Sequence, residues 1–390
     1  MKLTKQEQEM LDGKYGNALK KSMTILVALG EIYGAEKLVD AVSAQIAGVS
    51  YDNLGDAGLE FLEDLAKDGK VKVLTTLNPA GMDLENYKAL GISEDFAIKQ
   101  RKVIDAFAKM GVIPTCTCTP YLVGNSPHFG QHIAWSESSA VAYANSVLGA
   151  YTNREGGPSA LASALTGKTP LYGMHLDENR NAQIKIKVKA KIKGTSVFGA
   201  LGKVIGEKVK AKPVYITGIK EASIDELKSF SASIATYGGA AIFHMKGITP
   251  NKTKTPKEEI IITQADIDKA TKEMNMGCEV DFISVGCPHA SLNELAKLAE
   301  LLKGKKVKKE FWVTTARPTK KIADGAGYSK IIEDAGVKFA ADTCCVVAPI
   351  KGRFKCLATD SAKGCYYAYS KNQSKIKIMP IEKLVEEACK

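Results

Sequence analysis

The sequence lacks any long hydrophobic run. None of its 390 residues lies in an apolar stretch of roughly 18 to 20 residues, the length that a membrane-spanning helix requires. The beginning of the chain contains no apolar signal core, and Thr4 with Glu7 is instead typical of a helix capping box. These absences predict a cytoplasmic protein, in which cysteines stay reduced and are available for metal binding or catalysis.

The sequence also lacks the short motifs that bind nucleotides or nucleic acids. It contains no P-loop, no GxGxxG fingerprint, and no helix-turn-helix, zinc-finger or RNA-binding signature. The net charge of +11 leaves open an alternative from another functional class, a non-catalytic basic nucleic-acid-binding protein with a structural metal site. Because the lysines are spread along the chain, we expect no nucleic-acid partner.

One basic segment has a regular pattern. Between Ile184 and Lys193, apolar residues and lysines alternate with a period of two, which predicts a strand with one apolar face and one lysine face. We interpret it as an edge strand that its lysines protect against aggregation. The alternative is a face that docks an acidic partner or attracts an anionic substrate.

Strand and helix patterns alternate along the chain, which predicts an α/β protein with mostly parallel sheets. We expect an N-terminal α/β region over residues 1–175, a basic β connector over 176–212 and a C-terminal α/β region over 213–390. Strands are predicted at 45–50, 71–77, 112–115, 214–217, 241–244, 280–285, 311–315 and 337–340. Helices are predicted at 93–110, 291–302, 320–335 and 381–389, with two more before residue 45.

Paired CxxC knuckles, the usual sign of a structural zinc site, are absent among the nine cysteines. Three cysteine turns instead follow apolar runs, so we expect them where strands end, the edge at which open α/β sheets bind ligands. Three thiolates from distant strands suit an iron–sulfur cluster with one open coordination position, whereas buried cysteines that pack as small hydrophobes are the alternative. The turns contain Cys116 and Cys118, Cys287, and Cys344 and Cys345, while Cys278, Cys356, Cys365 and Cys389 are interpreted as structural.

Polar residues of several kinds accompany these turns. Glu137 between two serines, together with Asn153 and Arg154, suits a bound carboxylate or phosphate, although a buried hydrogen-bonded turn explains the same residues. Lys363 before a glycine resembles an anion-binding turn. Two histidines beside the cysteine turns, His128 and His289, are candidates to donate hydrogen bonds or are simply structural.

Taken together, these motifs resemble the aconitase X family in its large-subunit form, essentially from end to end. Each motif alone is unspecific, but the combination is specific. The motifs are Met-Leu-Asp-Gly-Lys-Tyr-Gly at 10–16, Ala-Gly-Val-Ser at 47–50, Leu-Asn-Pro-Ala-Gly-Met-Asp at 77–83, Cys-Thr-Pro-Tyr at 118–121, Trp-Ser-Glu-Ser-Ser-Ala at 135–140, Thr-Asn-Arg-Glu-Gly-Gly-Pro at 152–158, Gly-Cys-Pro-His at 286–289, Ala-Asp-Thr-Cys at 341–344 and Asp-Ser-Ala-Lys at 360–363.

The resemblance implies an aconitase-like multi-domain α/β fold and a hydro-lyase whose iron–sulfur cluster, 4Fe-4S or alternatively 2Fe-2S, lies in a cleft between domains. It implies Cys118, Cys287 and Cys344 as cluster ligands, with Cys116 and Cys345 as the alternatives at two of these turns. The implied substrate contacts are Gly48, Val49, Ser50, Asn78, Pro79, Glu137, Ser138 and Lys363.

The resemblance also implies a partner. Aconitase-type enzymes close their site with a small swivelling domain that carries a serine thought to act as the base. We expect this domain to be a separate small subunit, in a heterodimer or larger assembly, and we assign no base to this chain. Family members dehydrate (R)-5-phosphomevalonate to trans-anhydromevalonate 5-phosphate, in a modified mevalonate pathway for isoprenoids, or dehydrate cis-3-hydroxy-L-proline. The basic chain and Lys363 favour the phosphorylated substrate.

Overall fold

Parallel β-sheets organise the chain, and the computed structural model describes all residues from 1 to 390. The helices are α1 (Lys5–Leu11), α2 (Asn17–Ile32), α3 (Tyr51–Leu65), α4 (Glu94–Lys109), α5 (Ser138–Tyr143), α6 (Gly157–Thr166), α7 (Thr195–Val209), α8 (Ile224–Gly238), α9 (Gln264–Glu273), α10 (Leu292–Leu302), α11 (Arg317–Gly325), α12 (Tyr328–Asp334), α13 (Ala362–Ser370) and α14 (Ile381–Ala388). The strands are β1 (Leu38–Asp40), β2 (Ser43–Ile46), β3 (Leu74–Leu77), β4 (Ala134–Trp135), β5 (Lys168–Pro170), β6 (Ile184–Val188), β7 (Val214–Thr217), β8 (Phe243–Met245), β9 (Glu259–Ile262), β10 (Phe282–Ala290), β11 (Glu310–Thr315), β12 (Lys338–Ala341), β13 (Cys356–Thr359) and β14 (Lys375–Ile378). None of the helices is both long enough and apolar enough to cross a membrane.

The strands form three parallel sheets and one antiparallel pair. The first sheet has the order β3-β2-β4, the second β8-β7-β6-β9 and the third β12-β11-β10-β13-β14, while β1 pairs with β5. All strand pairs inside the three larger sheets are parallel, which confirms the predicted α/β class. Parallel order brings the carboxyl ends of neighbouring strands to one edge, where ligands bind in such folds.

The largest hydrophobic core joins the sheets to one another. Its 39 buried residues include Ile186 of the second sheet, Trp312 of the third, and Leu90 from the segment between β3 and α4. The aromatic rings of Phe282 and Trp312 pack edge to face with centroids 5.1 Å apart. Burial of this shared apolar surface fixes the sheet units against each other and hence holds the loops between them in place.

The lysine-rich strand lies inside a sheet, so its interpretation as an edge strand is wrong. β6 pairs with β7 on one side and with β9 on the other. The apolar side chains Ile184, Ile186 and Val188 are buried, while Lys187 is exposed. The segment predicted as a connector therefore supplies a central strand and, through α7, a helix to the second sheet unit. β6 is a central strand because it also pairs with β9, and the Glu-Ile-Ile-Ile sequence of β9 was not among the predicted strands.

Three further expectations need correction. Residues 112–115 form only an isolated bridge between Ile113 and Thr76, since Pro114 cannot donate to a strand ladder. The helix predicted at 320–335 is divided into α11 and α12 at Gly327, whose φ is 79°. Cys278 and Cys356 are paired in a disulfide with their Cα atoms 6.1 Å apart, because Cys278 precedes β10 and Cys356 begins the neighbouring strand β13 of the third sheet.

Candidate active site

Three cysteine-bearing segments meet at one place in the fold. Cys118 lies in a loop that runs alongside β3, where the Thr117 amide donates to the Leu77 carbonyl over 2.9 Å. Cys287 lies on β10, within the register shift between Val285 and Ala290. Cys344 follows β12, so Cys287 and Cys344 lie on strands or strand ends on either side of β11.

Gly286 shapes the turn that presents Cys287. Its φ is 92°, in the left-handed region, and a Cβ atom there would stand only 2.1 Å from the backbone oxygen of Thr314. The Thr314 hydroxyl donates to the Gly286 carbonyl over 2.5 Å, which holds the turn against β11. Only glycine fits this close backbone approach.

Cys118 and Cys344 are buried, Cys287 is half-buried, and the three thiols influence one another. Burial raises the pKa of Cys118 and of Cys287 to about 12 and also raises that of Cys344. Burial is the largest cause of these increases. The charge of Cys344 is a further cause at Cys287, and the charge of Cys118 is a further cause at Cys344. Such thiols ionise at neutral pH only when a bound metal replaces their protons.

This donor set suits a multinuclear cluster better than one ion. No group of three or more His, Cys, Asp or Glu side chains is arranged to hold a single metal ion. Around one ion, sulfur ligands at about 2.3 Å from the metal would stand within roughly 4 Å of one another. Soft sulfur donors from three segments that meet in the fold are the ligand type that iron–sulfur clusters use.

The neighbouring cysteines occupy different surroundings. Cys345 is fully buried, and burial and then the charge of Cys287 raise its pKa to about 12, while a hydrogen bond with Ser284 opposes the increase. Cys116 lies near the buried Asp342. Burial is the largest cause of the raised pKa of Cys116, and the charge of Asp342 raises it further. Both therefore lie next to the three candidates, and Cys118 and Cys344 stay predictions as the ligands of their turns.

A buried acid–lysine pair stands beside the thiols. Lys363, in the first turn of α13, forms an ion pair with Glu137, the residue that caps α5. Although burial opposes ionisation of Glu137, the Lys363 charge and hydrogen bonds from Ser139 lower its pKa to about 2. Both charges act on Cys118. Burial is the largest cause of the raised pKa of that thiol, the Glu137 charge raises the pKa further, and the Lys363 charge lowers it.

Glu137 is held by a network that reaches the first cysteine loop. Asn78 donates to the second carboxylate oxygen, Oε2, over 2.9 Å. Gln45 accepts from the Glu137 amide over 3.1 Å and donates to the Thr117 carbonyl over 3.1 Å. Sequence reasoning missed Gln45, although its place near the end of β2, two residues before the 47–50 motif, could have indicated it.

The loop after β2 lies against the third cysteine segment. Ser50 is fully buried, and its hydroxyl donates to the Val347 carbonyl over 3.3 Å. Gln100 of α4 donates to the Val49 carbonyl over 3.0 Å and so fixes the loop from behind. Gly48 is exposed at the tip of the loop, whereas Pro79 and Ser138 are buried near Asn78 and Glu137.

Arg317 is a further residue that sequence reasoning missed. It lies at the start of α11 and pairs with Asp83 over 2.5 Å and with Asp342 over 2.5 Å. Asp342 has a φ of 65° and immediately precedes the Thr343–Cys344 segment. The ion pairs therefore tie the first sheet unit to the third next to a predicted cluster ligand.

Two predicted groups do not join the site contacts. Asn153 binds backbone atoms at Tyr172 and Met174, and Arg154 is exposed beside it. His128 is exposed in a loop, whereas His289 is fully buried among the cysteine segments.

The fold and these contacts define an α/β protein in which three cysteine-bearing segments and a buried acid–lysine pair come together between parallel-sheet units. The chain belongs to the aconitase X family. Family models match nearly its whole length: the aconitase X first domain over residues 1–178, the second domain over 182–272 and the third domain over 280–390.

Relatives with known names agree with this assignment. The phosphomevalonate dehydratase large subunit of Methanocaldococcus jannaschii is 50% identical over 401 residues, which cover 99% of this chain and 100% of the relative. A crystal structure of aconitase X from Thermococcus kodakaraensis, in its holo-form, matches with a TM-score of 0.94 at 45% identity and covers 100% of both chains. A cis-3-hydroxy-L-proline dehydratase from Hypocrea jecorina is 32% identical, covering 100% of this chain and 69% of the relative.

Proposed function

We propose that this chain is the large subunit of a phosphomevalonate dehydratase, a hydro-lyase that removes water from (R)-5-phosphomevalonate. The observation that carries the proposal is the meeting of three cysteine-bearing segments beside the buried Lys363–Glu137 pair. The full-length similarity to named large subunits supports this substrate over hydroxyproline, because the chain spans only 69% of the Hypocrea dehydratase.

Cys118, Cys287 and Cys344 would hold the iron–sulfur cluster, which we propose to be of the 4Fe-4S type. When bound, an iron with an open position supplies a Lewis acid that polarises the departing hydroxyl and an adjacent carboxylate. The protein supplies the surroundings: the thiols are buried, and the neighbouring carboxylate is ionised. Three cysteine ligands, rather than four, keep one coordination position free for substrate.

Lys363 provides the positive charge of the cleft. Although burial opposes it, the Glu137 charge raises the pKa of Lys363, so the ammonium group stays charged at neutral pH. We propose that it attracts an anionic end of the substrate while Glu137 holds the ammonium group in place. The remaining proposed contacts, at Gly48, Val49, Ser50, Asn78, Pro79 and Ser138, would position the substrate along the same cleft.

Glu137 is poorly suited to remove the proton. A carboxylate with a pKa of about 2 is a weak base at neutral pH, and this one already accepts hydrogen bonds from Asn78 and Ser139. This supports a base supplied from outside the chain. We propose a serine on a small swivelling subunit, consistent with the relatives that are named large subunits.

The test is dehydration by the chain together with its small subunit, prepared without oxygen. We expect a product one water lighter from (R)-5-phosphomevalonate, little or none from cis-3-hydroxy-L-proline, and none from either subunit alone. Cys118→Ser should abolish turnover, whereas Cys389→Ser, at a partly buried cysteine near the end of the chain, should retain it. Turnover of the proline derivative alone would contradict the proposed substrate.

A further inference from the structure

The backbone amide and both ring nitrogens of His289 bind the cysteine segments. Its backbone amide donates to the sulfur of Cys118 over 3.2 Å. Its ring nitrogens lie 3.0 Å from the Thr117 hydroxyl and 2.9 Å from the Thr343 carbonyl. Its own carbonyl accepts from the buried Lys228 ammonium group over 2.9 Å.

These contacts determine the tautomer of the ring. The Thr343 carbonyl can only accept, so Nε2 of His289 carries the proton and donates. In a neutral ring Nδ1 then accepts, and the Thr117 hydroxyl donates to it. The same hydroxyl oxygen accepts from the Thr119 amide over 3.2 Å and lies 3.1 Å from the Thr119 hydroxyl, which can donate to it, so that the Thr117 proton stays available for the ring.

No regular element fixes two of the three segments that His289 joins. Residues 116–119 and 342–344 contain neither helix nor strand. The ring binds the residue before Cys118 and the residue before Cys344, while His289 itself follows Cys287 by two positions. One buried side chain therefore sets the spacing among all three predicted ligands.

We propose that His289 is the positioning residue of the cluster site: its ring and its backbone amide join the three cysteine segments so that their sulfur atoms are preorganised for an iron–sulfur cluster. The inference rests on the proposed cluster and assigns a role to a residue that contacts no substrate. Its backbone hydrogen bond to Cys118 adds a donor to one ligand sulfur, and such bonds tune the properties of clusters.

Two variants and one control test the role. His289→Phe keeps the size of the ring but removes both ring hydrogen bonds, whereas His289→Gln retains an amide that can reach the Thr343 carbonyl. His244→Phe is the matched control, because His244 is also buried, at 2% exposure, and binds a backbone carbonyl over 2.8 Å far along the second sheet. Iron and sulfide per chain after anaerobic reconstitution, the electron paramagnetic resonance spectrum of the reduced protein, and the rate of cluster loss in air are measured.

We expect His289→Phe to lose its cluster roughly tenfold faster, in line with the loss of outer-shell partners at metal sites, and to show an altered spectrum. His289→Gln should fall between that variant and the wild type, and His244→Phe should match the wild type. A wild-type spectrum and cluster lifetime in His289→Phe would overturn the positioning role alone. A wild-type chain that takes up no iron would overturn the cluster and the positioning role together.

Discussion

At the scale of single residues, the chemistry of the cleft depends on a buried ion pair. Lys363 and Glu137 expose 8% and 11% of their side chains, so neither charge is well solvated. A buried pair of this kind contributes little net stability, but the loss of one partner leaves an uncompensated charge in the interior. The pair therefore constrains both residues, whatever its net contribution to folding.

Lys363→Met should therefore destabilise the folded protein. The variant should lower the free energy of unfolding by about 3 to 5 kcal/mol, because Glu137 is left buried and unpaired. The double variant Lys363→Met with Glu137→Gln should recover most of that loss, since the unpaired charge is gone, while both variants remain inactive. Chemical denaturation measures the stabilities, and a single variant as stable as the wild type would contradict the pair.

A second residue-scale prediction concerns pH and a site far from the cleft. His175 is buried, and its Nδ1 atom lies 2.9 Å from Nδ1 of His132. Burial, and then the charges of His132 and Arg180, lower the pKa of His175 to about 3. The unfolded chain binds a proton on this ring below about pH 6.5, so the stability is complete above that pH and is lost as the pH falls towards 3.

His175→Gln should therefore make the free energy of unfolding less dependent on pH between about 5 and 6.5. The exposed His128 provides the control, because His128→Gln should keep the wild-type slope. Equal slopes for His175→Gln and the wild type would show that the ring is not held neutral.

At the scale of elements, the position of Cys287 depends on an irregularity in β10. Its register with β11 shifts between Val285 and Ala290, and the interruption turns the Cys287 thiol out of the regular ladder. Such irregularities in strands commonly redirect a side chain next to a functional site. Gly286 makes this geometry possible.

Gly286→Ala should destabilise the protein more than Gly304→Ala does. Both glycines have a positive φ, but Gly304 has open space around the position of a Cβ, whereas Gly286 meets the Thr314 oxygen. We expect a loss of about 1 to 2 kcal/mol from the backbone conformation at Gly304, with a further 1 to 3 kcal/mol from the clash at Gly286. Thermal unfolding measures both, and equal losses would contradict the close approach.

The sequence predicted elements well where the hydrophobic pattern was long. α4, α10, β7 and β11 lie within one or two residues of their predicted bounds. β7 is predicted although it has only four residues, but β9, β13 and β14, of the same length, were missed, because so short a segment gives little room for a period to stand out. The disulfide between Cys278 and Cys356 was missed because its partners are 78 residues apart, and pairing over that distance depends on strand order.

At the scale of the whole molecule, the site depends on contacts between sheet units. Arg317 pairs with the fully buried Asp83 of the first unit and with Asp342 of the third. Sequence reasoning identified the motifs on either side of the cleft, including Asp83 and Asp342 themselves, but not the arginine that joins them. A contact between residues 234 positions apart follows from packing, which no local pattern specifies.

Arg317→Leu should cost about 3 to 5 kcal/mol of unfolding free energy, because two buried carboxylates lose their partner. Arg101→Leu is the comparison: Arg101 is 45% exposed and lies 3.8 Å from Glu94, so its loss should cost less than about 1 kcal/mol. Similar losses for the two variants, measured by denaturation, would contradict a structural role for Arg317 between the units.

The central claim is that Cys118, Cys287 and Cys344 hold an iron–sulfur cluster, and the most direct measurement is iron and acid-labile sulfide per chain after purification without oxygen. We expect about four iron and four sulfide ions per chain in the wild type, as for a 4Fe-4S cluster, and a large loss of both when any of the three cysteines is replaced by serine. Cys365→Ser, at a fully buried cysteine outside the set, should retain the wild-type content. Iron that is absent from the wild type after reconstitution, or that is unaffected by the three replacements, would contradict the account.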